Sequence, residues 1–173
     1  PHAGPFEFAG AVIEVQAPIF VFREWHRHRT QSYNEMSARY APLPDLSYIP
    51  TVERIMMNSA KNRQAGLAAG ADTTTPEAAE IFRVNLARAY KDDEVVYQNA
   101  LKTGIPKELA RLCIPVGRYS RMRAAANLRN WLRFLTLRLA EDAQYEIRMY
   151  AVAVGALVAQ YYPRTWSLYT EGK

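Results

Sequence analysis

The stretch between Thr75 and Gly104 announces its own beginning and end. Thr75-Pro76-Glu77 has the form of a helix start. A hydroxyl residue accepts from an orphan backbone N–H, proline takes the first helical position, and an acid sits in the first turn. The pattern predicts one helix running to about Thr103, where Gly104 stops it. A fold that contains this segment must be rich in helix.

The rest of the chain supplies few strands and more helices. Phe6 to Gln16 alternates between apolar and polar residues and reads as a strand. Pro18 then suits the first turn of a helix over Ile19 to Arg29. Asn34 to Ser47 reads as irregular, broken by Pro42 and Pro44. A helix is expected from Thr51 to about Gly66, and Ala65 to Thr75 as an exposed, mobile loop. Pro106 to Leu112 reads as a short helix and Tyr119 to Ala126 as a strand. A helix follows from Asn127, with Leu128, Trp131, Leu132, Leu135 and Leu139 on one face. Asp142 to Tyr161 is a further helix, with Ile147, Tyr150, Ala151, Val154, Leu157, Val158 and Tyr161 at helical spacing and Pro163 ending it. The expectation is a single α+β domain over residues 1–173, a small antiparallel sheet packed with several long helices.

Chemistry concentrates between Arg27 and Arg39. These thirteen residues hold three arginines, a histidine, a carboxylate and two serines, directly after the apolar run Ala17-Pro18-Ile19-Phe20-Val21-Phe22. A charged run is often a solvated helix face. At about 100° per residue, however, Arg27, His28 and Arg29 fan over roughly 200° and cannot share one stripe. Charges abutting a buried segment fit a pocket lining. Arginine forks with serine and backbone donors suit a phosphorylated ligand.

A second cluster lies on the helix after Asn127. Arg129 and Arg133 stand four apart at one edge of its apolar face, Asn127 and Arg138 near the other, and Arg123 lies nearby. No acid follows before Glu141. Like charges at this spacing repel, so the arginines need an anionic partner. An Asp or Glu from elsewhere in the fold and a bound phosphate both meet that need.

Composition narrows the classes. A net charge of +5 suits anionic ligands without implying nucleic acid. One cysteine excludes an internal disulfide and favours a reducing, cytoplasmic setting, and Cys113 reads as a buried, inert thiol. No run reaches the roughly eighteen apolar residues of a membrane span, and no signal peptide is visible. Three histidines without a Cys or Asp cluster do not make a metal site. Tyr33, Tyr40, Tyr48, Tyr119, Trp25 and Trp131 can stack on a planar ligand ring or simply form core.

Arg27-His28-Arg29, seven residues and then Ser37 resembles the signature of the flavin-dependent thymidylate synthases. Tyr33 to Tyr40, Tyr48-Ile49-Pro50, Ala110 to Pro115 and Asn127 to Arg138 are similar to that family too. The resemblance covers essentially the whole chain and is weakest from about Arg54 to Arg83. It implies reductive methylation of dUMP to dTMP, with methylenetetrahydrofolate as carbon donor, NADPH-reduced FAD as hydride source, and a homotetramer sharing its sites between subunits. Neither nucleic acid nor membrane is an implied partner.

The resemblance also implies roles. Flavin contacts fall on His2, Gly4, Arg27, His28, Arg29, Thr30, Glu35, Asn127, Arg129 and Arg133. Nucleotide contacts fall on Glu24, Arg27, Glu35, Met36, Ser37, Ala38, Arg39, Arg111 and Arg138. Arg111 would reach the phosphate from another subunit, with a same-chain ion pair as its alternative. Arg138 would touch the uracil, favour ionisation at N3 and so make C5 a better nucleophile. Ser37 would contact phosphate rather than attack, since it has no general base in a recognisable triad. The chain departs from the family pattern in several places. Glu24 replaces a usual Gln, Phe8 a common histidine and Gly4 a hydroxyl residue, and Arg133 stands where Asn is frequent. The family's further segment upstream of Pro1, which contributes to flavin binding, is expected to be lacking. The alternatives are a same-fold flavoenzyme acting on a different pyrimidine nucleotide, a truncated inactive relative, and a basic nucleic-acid-binding module.

Overall fold

The computed structural model describes residues 3–57 and 73–172. Among them, a 3-10 helix at Gly4–Glu7 precedes strand β1 (Gly10–Pro18), helix α1 (Ile19–Trp25), β2 (Ser32–Glu35), α2 (Val52–Met56) and α3 (Pro76–Lys102). Helix α4 (Lys107–Ala110) leads through a 3-10 turn at Arg111–Cys113 into β3 (Tyr119–Asn127), α5 (Leu128–Arg138), α6 (Tyr145–Tyr161) and α7 (Pro163–Glu171). The three strands form one sheet in the order β1–β3–β2. Gly10 faces Ala126 and Glu14 bonds Arg123, so β1 and β3 run antiparallel. This is the expected α+β class. No helix among the described residues is long and apolar enough to cross a membrane.

The residues divide into two compact units, one comprising Pro1–Val15, Val21–Asn34 and Arg123–Lys173, the other Gln16–Phe20 and Glu35–Met122. The first is built around α5. Leu128, Trp131, Phe134 and Leu135 of that helix are buried. Trp25 packs on Phe134 with ring centres 4.6 Å apart and meets Trp131 edge-on at 6.4 Å. Burying each such ring contributes about 2–3 kcal/mol. Both indoles also satisfy their N–H groups, Trp25 on Gln31 Oε1 at 3.0 Å and Trp131 on the Ala11 carbonyl at 3.1 Å. Trp25 and Trp131 are therefore core residues rather than platforms for a ligand ring. Helix α6 packs against α5 and α7. Gly155 makes room for α7, because a β-carbon there would lie 3.0 Å from the Trp166 ring.

The second unit holds α3, whose limits match the sequence signals. Thr75 Oγ1 accepts from the Ala78 N–H at 3.2 Å, proline follows, and the helix ends at Thr103 before Gly104 with φ of +80°. Arg118, only 1% exposed, joins several segments of this unit. It pairs with Glu94 of α3, donates to Asp45 at 3.2 Å and donates to the Pro44 carbonyl at 2.9 Å. Cys113 lies half-buried, and burial pushes its thiol pKa up.

Several expectations need correction. The first strand begins at Gly10 and includes Pro18, and the residues before it form a 3-10 helix. Helix α1 stops at Trp25, leaving Arg27 to Arg29 in a turn. The segment read as irregular starts with β2. Helix α2 ends at Met56, where Met57 turns extended (ψ 109°). The remainder of the helix expected to Gly66 and most of the Ala65–Thr75 loop lie outside the described residues. Pro163 does end α6, yet it also opens α7 at the first helical position, where its missing N–H costs nothing.

Candidate active site

In the first unit the chain leaves α1 through a tight turn. The His28 N–H donates to the Trp25 carbonyl at 3.0 Å and the Gln31 N–H to the His28 carbonyl at 3.1 Å. The Tyr33 hydroxyl, within reach of the Trp25 carbonyl at 3.1 Å and the His28 carbonyl at 2.7 Å, fixes that turn. Burial raises the Tyr33 pKa to about 12, so it remains a donor. The turn, not helical spacing, separates Arg27, His28 and Arg29, and only His28 of them is buried. It sends His28 inward, 8% exposed, and leaves Arg27, Arg29 and Thr30 on the surface.

Helix α5 supplies the facing groups. Asn127 caps it, its side-chain oxygen accepting from the Asn130 N–H at 3.0 Å. Trp131, Phe134, Leu135 and Arg138 follow the i, i+3, i+4, i+7 pattern of one helix face. Arg138 therefore lies at the end of the buried stripe rather than across from it. Its Nε donates to His28 Nε2 at 2.8 Å and its Nη1 pairs with Glu24. Phe134 meets the His28 ring edge-on at 4.8 Å. Phe134 and Gln31 were missing from the candidates, and Tyr33 was expected only as a stacking or core ring. The spacing of Phe134, four before Arg138, was the signal that could have found it.

His28 must be neutral to accept at Nε2, which leaves its proton on Nδ1. Burial lowers its pKa to about 4, and the positive charges of Arg138 and then Arg133 add to that. The result is a fixed guanidinium, braced by a carboxylate and a neutral imidazole.

Two other arginines have protein partners. Arg129 pairs with Glu7 of the 3-10 helix that begins at Gly4, and Arg123 with Glu14 at 2.9 Å. An acid from elsewhere in the fold thus meets the need that the sequence left open for Arg129. Arg133 is exposed on the same helix. His2 lies outside the described residues.

The second unit gathers part of the nucleotide set. The Ser37 hydroxyl accepts from the Arg39 N–H at 3.3 Å, and Ala38 is buried. Arg39 pairs with Glu108 at 3.7 Å and lies over the exposed Tyr40 ring. Arg111 Nε donates to the Glu108 carbonyl at 3.3 Å within the same chain, and Lys107 Nζ donates to the Tyr40 carbonyl at 3.0 Å. Of these cations Arg39 meets the Glu108 carboxylate, while Arg111 and Lys107 bond main-chain carbonyls. The Met36 N–H is bound to the Arg121 carbonyl at 2.8 Å, and Glu35 is exposed at the end of β2.

The pattern of the family described as thymidylate synthase complementing protein matches residues 1–164. The flavin-dependent thymidylate synthase of Thermus thermophilus is 38% identical over 170 residues, 98% of this chain and 60% of its own length. That of Anaplasma marginale is 39% identical over 175 residues, again 98% of this chain and 57% of its own. The chain therefore spans somewhat more than half the length of these relatives. Among solved structures, a UMP/dUMP methylase PolB from Streptomyces cacaoi bound with 5-Br UMP superposes with a TM-score of 0.84 at 34% identity. The match covers 98% of this chain and 78% of that one.

Proposed function

The chain belongs to the thymidylate synthase complementing protein family, whose relatives are flavin-dependent thymidylate synthases, and from that premise we propose that it methylates dUMP to dTMP. Methylenetetrahydrofolate would be the carbon donor and NADPH the source of reducing equivalents. The observation that carries the proposal is Arg138, half-buried and held in place by His28 and Glu24. A guanidinium so fixed donates to a ring carbonyl and orients the pyrimidine for attack by its C5, without reorganising at the moment of reaction.

FAD fits the donor set of the first unit. Arg27, Arg29 and Arg133 are exposed cations suited to a pyrophosphate, and Thr30 adds a hydroxyl. A flavin held there would supply hydride-transfer chemistry to the methylation. The chain's own residues bind and orient. His28 holds Arg138 through its Nε2 lone pair. Ser37 and Arg39, the latter resting on Glu108, hold the nucleotide phosphate, and Arg111 reaches it from another subunit. Glu35, Met36 and Ala38 complete that cradle, and Gly4, Asn127 and Arg129 the flavin side. Exposed apolar side chains on α3, including Ile81, Phe82, Val95 and Val96, support association as a homotetramer. A reducing, cytoplasmic setting suits the single cysteine.

Glu24 favours a second reading, in which the same fold and flavin modify a different pyrimidine nucleotide. Adding FAD to the protein and following its visible spectrum on titration with dUMP tests the shared site. Product analysis after addition of methylenetetrahydrofolate and NADPH then separates the readings. Formation of dTMP supports the first, while turnover of another pyrimidine without dTMP supports the second.

A further inference from the structure

Arg138 never presents itself alone. Its partner Glu24 comes from α1, and the pair is lopsided: the Glu24 side chain is 32% exposed and that of Arg138 15%. The carboxylate is thus the more solvent-exposed member of the pair. A lone guanidinium offers only donors and so favours a ligand edge stripped of its proton. A guanidinium beside a carboxylate offers donors and acceptors side by side. A carboxylate has about four acceptor positions, so its bond to Arg138 leaves capacity for a ligand N–H. That is the complement of a neutral imide, in which a carbonyl oxygen stands next to an N–H.

We propose that Glu24 is a specificity-determining residue that makes this chain bind its pyrimidine as the neutral N3–H imide. The inference rests on the reading of Arg138 as the group that meets the base. Glu24 accepts from N3–H while Arg138 donates to the adjacent carbonyl. The carboxylate also cancels the guanidinium charge, which removes the preference for an ionised ring. The hydrogen bond to Glu24 strengthens as C5 attacks and the N3 proton grows more acidic, so the ring gains electron density without first losing that proton.

Other groups near the pair hold their charge over the working pH range. His28 stays neutral, its pKa being lowered to about 4 by burial and by Arg138 and Arg133. The Tyr33 phenol stays protonated. Arg133 and Arg138 supply the positive charges that face His28. The Arg27 N–H donates to the Glu24 main-chain carbonyl at 3.3 Å, not to the carboxylate.

The test uses the full chain loaded with FAD, with binding read from the flavin spectrum. The affinities of dUMP and 5-bromo-dUMP are measured from mildly acidic to alkaline pH. Bromine at C5 acidifies N3, so the bromo nucleotide ionises first. The wild-type protein should lose affinity for it relative to dUMP by about tenfold for each pH unit above its ionisation. Glu24→Gln should flatten or reverse that trend, while Glu24→Asp should keep it. Tighter wild-type binding of the ionised analogue, or a Gln variant that tracks wild type, overturns the role of Glu24 and leaves dUMP binding intact. If neither nucleotide perturbs the flavin in any of the proteins, the dUMP reading falls as well.

Discussion

His28 Nε2 accepts a hydrogen bond from Arg138 Nε across 2.8 Å, joining residues 110 positions apart. The contact fixes the imidazole in one neutral tautomer and gives Arg138 a single orientation. It depends on α1 ending at Trp25, because one more helical turn would carry His28 elsewhere.

The buried histidine makes stability depend on pH. Its folded pKa of about 4 lies below the unfolded value of about 6.5, so the unfolded chain binds the proton first. Nothing is lost above pH 6.5, and stability falls as pH drops from about 6.5 to about 4. At about 1.4 kcal/mol per unit the total is about 3 kcal/mol. NMR titration of His28, with urea melts at several pH values, checks both halves. An imidazole titrating near 6.5 would refute the geometry.

Arg138→Ala should lower kcat for dTMP formation by about 10²–10³-fold, the loss typical of removing one preorganised donor. The variant leaves Glu24 partly exposed to water, so a thermal melt should move far less than the rate. Similar rates for variant and wild type would remove Arg138 from the chemistry.

Glu94→Ala should destabilise the second unit strongly. Arg118 is 1% exposed, and stripping its half-buried partner leaves it, among the described residues, with Asp45 and the Pro44 carbonyl. Such losses run to about 3–5 kcal/mol. A denaturant midpoint near the wild-type value would show that water relieves the charge.

Gly10→Ala sets two effects against each other. Reduced freedom of the unfolded chain stabilises by about 0.4–1 kcal/mol, while forced overpacking costs about 1–3 kcal/mol. The new β-carbon would lie 2.8 Å from the Ala126 carbonyl oxygen, a backbone atom of β3. A backbone atom cannot rotate aside, so the clash wins and the midpoint falls. Unchanged stability would mean that β1 and β3 shift freely.

What the sequence determined by itself was local or carried by resemblance. The Thr75 and Asn127 caps each act over three residues, and Gly104 ends α3 through its own backbone. Those limits were readable because cause and effect lie within one turn of helix. The signature from Arg27 to Ser37 led to the family for a similar reason, as a pattern of adjacent residues. The tertiary structure decided where the arginines point. Arg129 finds Glu7 across 122 positions and Arg138 finds Glu24 across 114. No periodicity encodes such a pairing, because it exists only after the β1–β3 ladder and the aromatic core have placed the helices. The end of α1 and the start of β2 were hidden in the same way. The Tyr33 hydroxyl that fixes the turn between them works through main-chain carbonyls, which every residue carries and no sequence pattern distinguishes.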